Sequence, residues 1–367
     1  MLENFFDANR FNTPIQFSTE QKAFVSNTLN DGWVSTAAPH IEKFEAALQN
    51  ETCYPYCVAT NTGTSALLAF FLCLKQKHPN GIILLPDDGY GAALFCAKAV
   101  GFEIDFVAVD ESTMCISSKT VSSHVLQSYC RINGVFIDQR KKLPIIALVL
   151  IHNYGIVPPT EQILDFCREY KIEIIVDAAE SLGVFDYHNS FKIDAITSFN
   201  GNKIITTGAG GMIFTADKAR YEKYKAITTS GKRPFTFDRI IHDSFGMNLR
   251  MSGLSAALGL AQIDDLQSRV DFRRSFFDSL DQMLHRVEPT ELRLGVDLES
   301  IAGWNFWAIP LVVNSAKIKP LAELLRRKNI VYRRAWQTFS NEEANQLNSN
   351  YHGKIRQDRE DRFVLMS

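Results

Sequence analysis

The segment IIALVLIHNYGIVPPTEQILDFCREYKIEIIVDAAESLG, Ile145–Gly183, decides how the rest of the chain is read. Ile145–Ile151 is an unbroken apolar run, the pattern of a parallel strand covered on both faces. Thr160–Tyr170 has helical spacing, and Ile172–Asp177 is a second strand that ends in a carboxylate. A strand, a helix and a strand at this spacing make a right-handed crossover, and therefore a mainly parallel sheet.

Upstream, the alternation continues. Cys53–Thr60, Ile82–Pro86 and Glu103–Val109 read as strands, with helices at Gly63–Gln76 and about Tyr90–Val100 between them. Ser18 and Gln21 form a capping box for a helix through about Leu29. A further helix starts at Pro39 and turns Ile41, Phe44, Ala47 and Leu48 inward. Residues 111–142 accommodate at most one helix. Past Asn248 the pattern changes. Arg250 to about Val287 reads as helical, and its small residues, SGLSAALGLAQI, let a second helix approach closely. Asn305–Val313, a helix at about Lys317–Asn329, and Ile330–Trp336 outline a second, smaller α/β unit, with a polar loop at Asn341–Asn350.

Composition narrows the function classes. The chain has 367 residues, 39 Lys plus Arg against 41 Asp plus Glu, and a net charge of −2. That balance argues against a broad nucleic-acid surface. No apolar run reaches the length of a membrane span, and the N-terminal MLENFFDANRF is not a secretory signal. The seven cysteines are odd in number and mostly lie in apolar runs, as free thiols of a reducing compartment do. No CxxC pair marks a structural zinc site. The expectation is a cytoplasmic protein without metal.

Three segments carry candidate chemistry. Asn61–Ala66, NTGTSA, is a turn between strand and helix, either an ordinary cap or an anion-binding helix start. Asp177 closes a buried strand, where a metal ligand, a catalytic acid or a helix cap can sit. Lys203 lies between SFNGN and a Gly-rich turn, as a Schiff-base lysine or as a solvated surface lysine. The Gly-rich run lacks the GxGxxG spacing of a dinucleotide fingerprint.

Their order and context are more specific than any one of them. NDGWVSTAAPHIEKFE (Asn30–Glu45), ATNTGTSAL (Ala59–Leu67), IHNYG (Ile151–Gly155), VDAAESLG (Val176–Gly183), SFNGNKIITTGAGG (Ser198–Gly211) and GMNLRMSGLSAALGLAQI (Gly246–Ile263) together resemble the DegT/StrS family of pyridoxal-phosphate-dependent nucleotide-sugar aminotransferases. The resemblance implies an α/β fold, the PLP-dependent transferase fold type I of aspartate aminotransferase. Residues 1–250 would be a large cofactor domain with a mainly parallel seven-stranded sheet between helices. Residues 251–367 would be a connecting helix and a smaller C-terminal α/β domain, trimmed because relatives usually continue past RFVLMS.

The same resemblance assigns roles. Lys203 holds pyridoxal phosphate as a Schiff base and moves the proton once released. Asp177 pairs with the ring nitrogen and keeps it protonated. Tyr90 stacks on the ring, Glu180 lies near its phenolic oxygen, and Thr64, Ser65 and Ser198 contact the phosphate. Asn248 reaches into the neighbouring subunit's phosphate site, which implies a homodimer with shared active sites. Arg250 lies near the donor carboxylate, and Trp33 borders the sugar cleft or packs at the subunit interface. His152, at the exit of a buried strand, either faces the same crevice or is a purely structural residue. Three positions depart from the family pattern: Gly89 precedes Tyr90 where Thr or Ser is usual, GAGG replaces GEGG, and Asn202 precedes the lysine.

The reaction so implied moves an amino group from L-glutamate, through pyridoxamine phosphate, to a nucleotide-diphosphate-linked 4-keto-6-deoxy sugar. The setting is assembly of a surface polysaccharide such as O-antigen, without nucleic acid or membrane as partner. Two other readings compete. Related keto-sugar dehydratases use the same cofactor but replace the lysine with histidine, and Lys203 speaks against that. A non-catalytic cofactor-binding regulator need not keep Asp177, Ser198, Lys203 and Asn248 together.

Overall fold

A computed structural model describes residues 16–184, 193–232, 239–328, 330–336, 338–339 and 362–366. The polar stretch at Asn341–Asn350 lies outside them. Ten helices run in chain order among these residues: α1 (Thr19–Asn30), α2 (Pro39–Thr52), α3 (Gly63–Lys77), α4 (Ala92–Ala99), α5 (Ser118–Ser128), α6 (Glu161–Glu169), α7 (Lys218–Thr228), α8 (Gly253–Leu260), α9 (Leu266–Leu284) and α10 (Ile318–Arg327). The strands are β1 (Tyr56–Thr60), β2 (Ile82–Pro86), β3 (Glu103–Val107), β4 (Cys130–Ile132), β5 (Val135–Asp138), β6 (Leu143–Ile151), β7 (Ile156–Val157), β8 (Glu173–Asp177), β9 (Asp194–Ser198), β10 (Gly211–Thr215), β11 (Leu292–Leu294), β12 (Gly303–Trp304), β13 (Ala308–Val313), β14 (Tyr332–Arg334) and β15 (Arg362–Met366).

Seven strands form the main path of the large sheet, in the order β1-β10-β9-β8-β6-β2-β3. β9, β8, β6, β2 and β3 are parallel, and β10 runs against both of its neighbours. From Ile145 to Ile151, β6 is buried at every position, as its continuous apolar sequence requires. Every β2 residue is buried too. The carboxyl ends of β6, β8 and β9 therefore open side by side, at Ile151, Asp177 and Ser198.

The first helices are placed by polar groups as well as apolar ones. The capping box of α1 is present, with Ser18 accepting from Gln21 N–H. On α2, Phe44 and Leu48 are buried, but Ala47 is only half-buried and Glu45 takes the inward place. The Glu45 carboxylate accepts Ala59 N–H (2.7 Å) and pairs with Lys225 (2.8 Å), which offsets its burial.

Three parts differ from the sequence reading. The expected continuous helix from Arg250 to Val287 is broken. Arg250 bridges Thr60 in extended backbone, Ser252 caps α8, and a short turn at Ile263–Asp265 separates α8 from α9. The break has a polar cause: buried Gln262 turns its side-chain amide onto the Thr206 backbone, donating to the carbonyl (2.7 Å) and accepting from the N–H (3.3 Å). Residues 111–142, read as holding at most one helix, hold one, α5, and also the β4–β5 hairpin, which pairs with the start of β6. β9, β10 and α7 surround the lysine segment and had no clear sequence signature.

The small residues act as expected. A Cβ at Gly259 would lie 2.5 Å from the Phe44 ring, so α8 and α2 meet at glycine. A second, antiparallel sheet is ordered β11-β13-β15-β14, and β12 pairs with β7. No helix among the described residues is long and apolar enough to cross a membrane.

Gly211 opens β10 where that strand passes the start of α3. A Cβ there would lie 2.5 Å from Thr62 O and 2.6 Å from Gly63 N. Because both obstacles are backbone, Gly211→Ala is expected to cost about 1–3 kcal/mol of stability, measured by urea unfolding.

Candidate active site

A cavity of about 290 Å³ opens at the carboxyl ends of the parallel strands. Its lining includes Thr64, Tyr90, Asp177, Glu180, Ser198 and Lys203. A larger cavity of about 810 Å³ lies between α5 and the β4–β5 hairpin. There Asp105 accepts from Tyr129 and bonds His124, a structural cluster in a cavity that shares no lining residue with the first.

The floor is electrostatic. Lys203 follows β9 and lies 3.2 Å from Glu180 Oε1, the two side chains only 12% and 9% exposed. The other Glu180 oxygen accepts Tyr154 N–H at 2.8 Å. Tyr154 can present that N–H because its backbone is left-handed, with φ of 61°. Asp177, at the end of β8, accepts Ala179 N–H at 3.1 Å. Burial pushes its carboxyl up to about 6, and the charge of Glu180 acts in the same direction.

The wall opposite is the start of α3. Thr62 caps the helix by accepting Ser65 N–H at 2.9 Å. Gly63 is pressed against Ser198, to whose Cβ an added Cβ would come within 2.9 Å. This packing puts the Ser198 side chain and the first backbone groups of α3 on one surface, a suitable cradle for an anion. Ser65 does not line the cavity, since its hydroxyl is engaged with Thr62 at 2.9 Å.

Other expected residues lie elsewhere. His152 takes the structural alternative: it is fully buried, bonds Ser181 Oγ through Nδ1 (2.8 Å), and is not among the residues lining the cavity, so the crevice role is corrected. Burial lowers its pKa to about 3, so the ring is neutral. Asn248 is exposed, and its side-chain oxygen accepts from Arg250 Nε at 3.1 Å. Arg250 and Trp33 do not line the cavity, and Trp33 is exposed on the segment that packs on Gly253.

Sequence reasoning missed Trp307, Trp336, Arg333, Asn153, Asn200 and Thr62, all in the lining. Trp307, Arg333 and Trp336 stood inside segments recognised only as strands of the second unit. Nothing in their spacing shows that this unit closes over the cavity.

The fit to an aromatic aldehyde phosphate is good on the donors present. One amine, two buried carboxylates, one helix start with a serine beside it and an aromatic rim could supply a contact for each part of such a cofactor. Residues 16–355 match the DegT/DnrJ/EryC1/StrS aminotransferase family. The chain belongs to that family and is a pyridoxal-phosphate-dependent sugar aminotransferase of fold type I.

Among its relatives, the putative pyridoxal phosphate-dependent aminotransferase EpsN of Bacillus subtilis is 27% identical over 334 residues, 88% of this chain and 80% of that protein. The GDP-perosamine synthase of Escherichia coli O157:H7 is 29% identical over 71% of this chain and 67% of its own length. Among solved structures, PseC of Helicobacter pylori, an aminotransferase involved in the biosynthesis of pseudoaminic acid, superposes with a TM-score of 0.82. It is 19% identical and covers 97% of this chain and 93% of its own. NtdA of Bacillus subtilis, solved with bound cofactor PMP, gives 0.77 at 19% identity, with 99% and 79% coverage.

Asp177 makes a pH prediction for the cofactor-free protein. Its folded pKa, about 6, is above the ordinary 3.8, so the folded state holds this proton more tightly than the unfolded one. Stability from this group is therefore present below about pH 4 and is lost as pH rises through about 6. Asp177→Asn is expected to remove that loss, worth up to about 3 kcal/mol, and to flatten the stability profile between pH 4 and 6 in chemical unfolding.

Proposed function

We propose that this aminotransferase carries an amino group from L-glutamate to a nucleotide-diphosphate-linked 4-keto-6-deoxy sugar. The observation that carries the reading is the Lys203 amine, held in a cavity with Asp177 on its floor and Ser198 beside the start of α3. Bound pyridoxal phosphate supplies an aldehyde that takes up the amino group and a ring that withdraws electrons from the reacting carbon.

The residues divide the remaining work. Lys203 Nζ would move a proton from the donor's α-carbon to the cofactor's reacting carbon, and in the second half from that carbon to the sugar carbon that gains the amine. Asp177 would hold the ring nitrogen's proton, because a buried carboxylate with a raised pKa gains from a positive partner. Ser198, Thr64 and the N–H groups at the start of α3 would hold the phosphate. Tyr90, exposed on the loop before α4 and 5.9 Å from Trp336 in an edge-to-face arrangement, would cover the ring. Arg333 also lines the cavity and, among the described residues, forms no ion pair, so its charge is available to the anionic groups of either substrate.

The nucleotide-sugar class is supported by the relatives named GDP-perosamine synthase. A homodimer with shared sites is supported by Asn248, Arg250 and Trp33, which lie away from their own cavity, and by exposed Phe245 and Met247 nearby. Phosphates met locally, without a basic surface, fit a net charge of −2. We place the reaction in the cytoplasm, in the assembly of a surface polysaccharide. The division into residues 1–250 and 251–367 is part of the same proposal.

The test is a two-stage assay. Glutamate should convert the bound cofactor to its amino form with release of 2-oxoglutarate, and a GDP-, UDP- or dTDP-4-keto-6-deoxy sugar should restore the starting spectrum as it gains an amine. Lys203→Ala is expected to reduce turnover by at least about 10³-fold. A protein that reacts with no amino acid, or that accepts amino groups only from non-sugar substrates, contradicts the proposal. A monomer by light scattering at assay concentration contradicts the shared site.

A further inference from the structure

The Trp304–Trp307 segment links the second sheet to the lysine site. Trp304 Nε1 donates to Tyr154 O at 3.0 Å. Asn305, fully buried, donates to Glu180 O (2.7 Å) and Leu182 O (3.0 Å), and accepts Trp307 N–H at 3.0 Å. Phe306 takes a left-handed backbone, φ 56°, and stacks its ring 4.9 Å from Phe277. That turn directs Trp307 back onto the lysine. Its indole N–H donates to Asn202 O at 2.7 Å, the residue immediately before Lys203. Its ring face lies 4.0 Å from Lys203 Nζ.

Lys203 is thus gripped twice by one side chain. The indole edge fixes the backbone that carries it, and the indole face attracts the amine, the favourable side of a ring for a cation. Glu180 holds the same nitrogen from another direction. We propose that Trp307 is a positioning residue: with Glu180, it forms the dock in which the Lys203 amine rests whenever it is not covalently bound to the cofactor. This rests on the reading of Lys203 as the reactive amine. A docked amine stays beside the reacting atoms with few rotamers to search; once its extra proton passes to the paired Glu180 carboxylate, Nζ bonds the aldehyde carbon and the carbonyl oxygen leaves as water, so covalent capture of the cofactor is fast.

The experiment follows cofactor loading. Apo-protein is mixed with pyridoxal phosphate, and formation of the covalent link is timed by absorbance for the wild type, Trp307→Phe and Trp307→Leu. Affinity for 4′-deoxypyridoxine 5′-phosphate, which cannot link to lysine, is measured in parallel. Trp307→Leu is expected to slow attachment about tenfold, and Trp307→Phe about two- to threefold, since phenylalanine keeps the ring face but not the N–H. Affinity for the deoxy compound should stay within about twofold in both, because the dock acts on the amine. Attachment to Trp307→Leu at the wild-type rate overturns the proposal. So does an equal loss of both ligands, which would make Trp307 only a cavity wall. If the wild type itself forms no covalent link, the reading of Lys203 fails instead.

Discussion

The site depends on one buried carboxylate. Glu180 stands between the Tyr154 N–H and the Lys203 amine, and its own carbonyl accepts from Asn305. Four segments distant in sequence, following β6, β8 and β9 and preceding β13, therefore converge on one residue. A charged group buried this far is tolerated only when its oxygens are paired. Each partner is consequently under constraint: Tyr154 adopts a left-handed backbone, and Lys203 is held at the cavity floor. The second sheet, through Trp304–Trp307, braces the same arrangement from outside.

Beside that pair lies Asp177, with a carboxyl raised by burial and by the Glu180 charge. Without a positive partner its ionised form is unfavourable, and a protonated ring nitrogen would relieve that strain. Two carboxylates and one amine thus share a small space, and the opposite wall is the positive start of α3. The cavity offers local groups that would meet each part of the cofactor, so a chain of near-neutral charge would need no basic surface to bind a phosphate.

Much of this was legible in the linear sequence, because it rests on local pattern. The buried run Ile145–Ile151 and the strand ending at Asp177 announce a parallel sheet, and Thr64, Ser198 and Lys203 belong to short segments of recognisable order. What was not legible depends on contacts between distant segments. The break before α9 requires knowing that Gln262 meets Thr206. His152 reads like a crevice residue until Ser181 is seen to engage it. Trp307 and Arg333 look like ordinary strand residues until the second sheet is placed over the cavity. β15 was likewise missed, although Ala308–Val312 of β13 pairs with it.

The account centres on Lys203 as the reacting amine, and chemical mapping addresses that most directly. The cofactor-loaded protein is reduced with borohydride, digested, and its peptides sequenced by mass spectrometry. The phosphopyridoxyl mass is expected on Lys203 within SFNGNKIITTG. Its appearance on another lysine, such as Lys225, with Lys203 unmodified, would contradict the account.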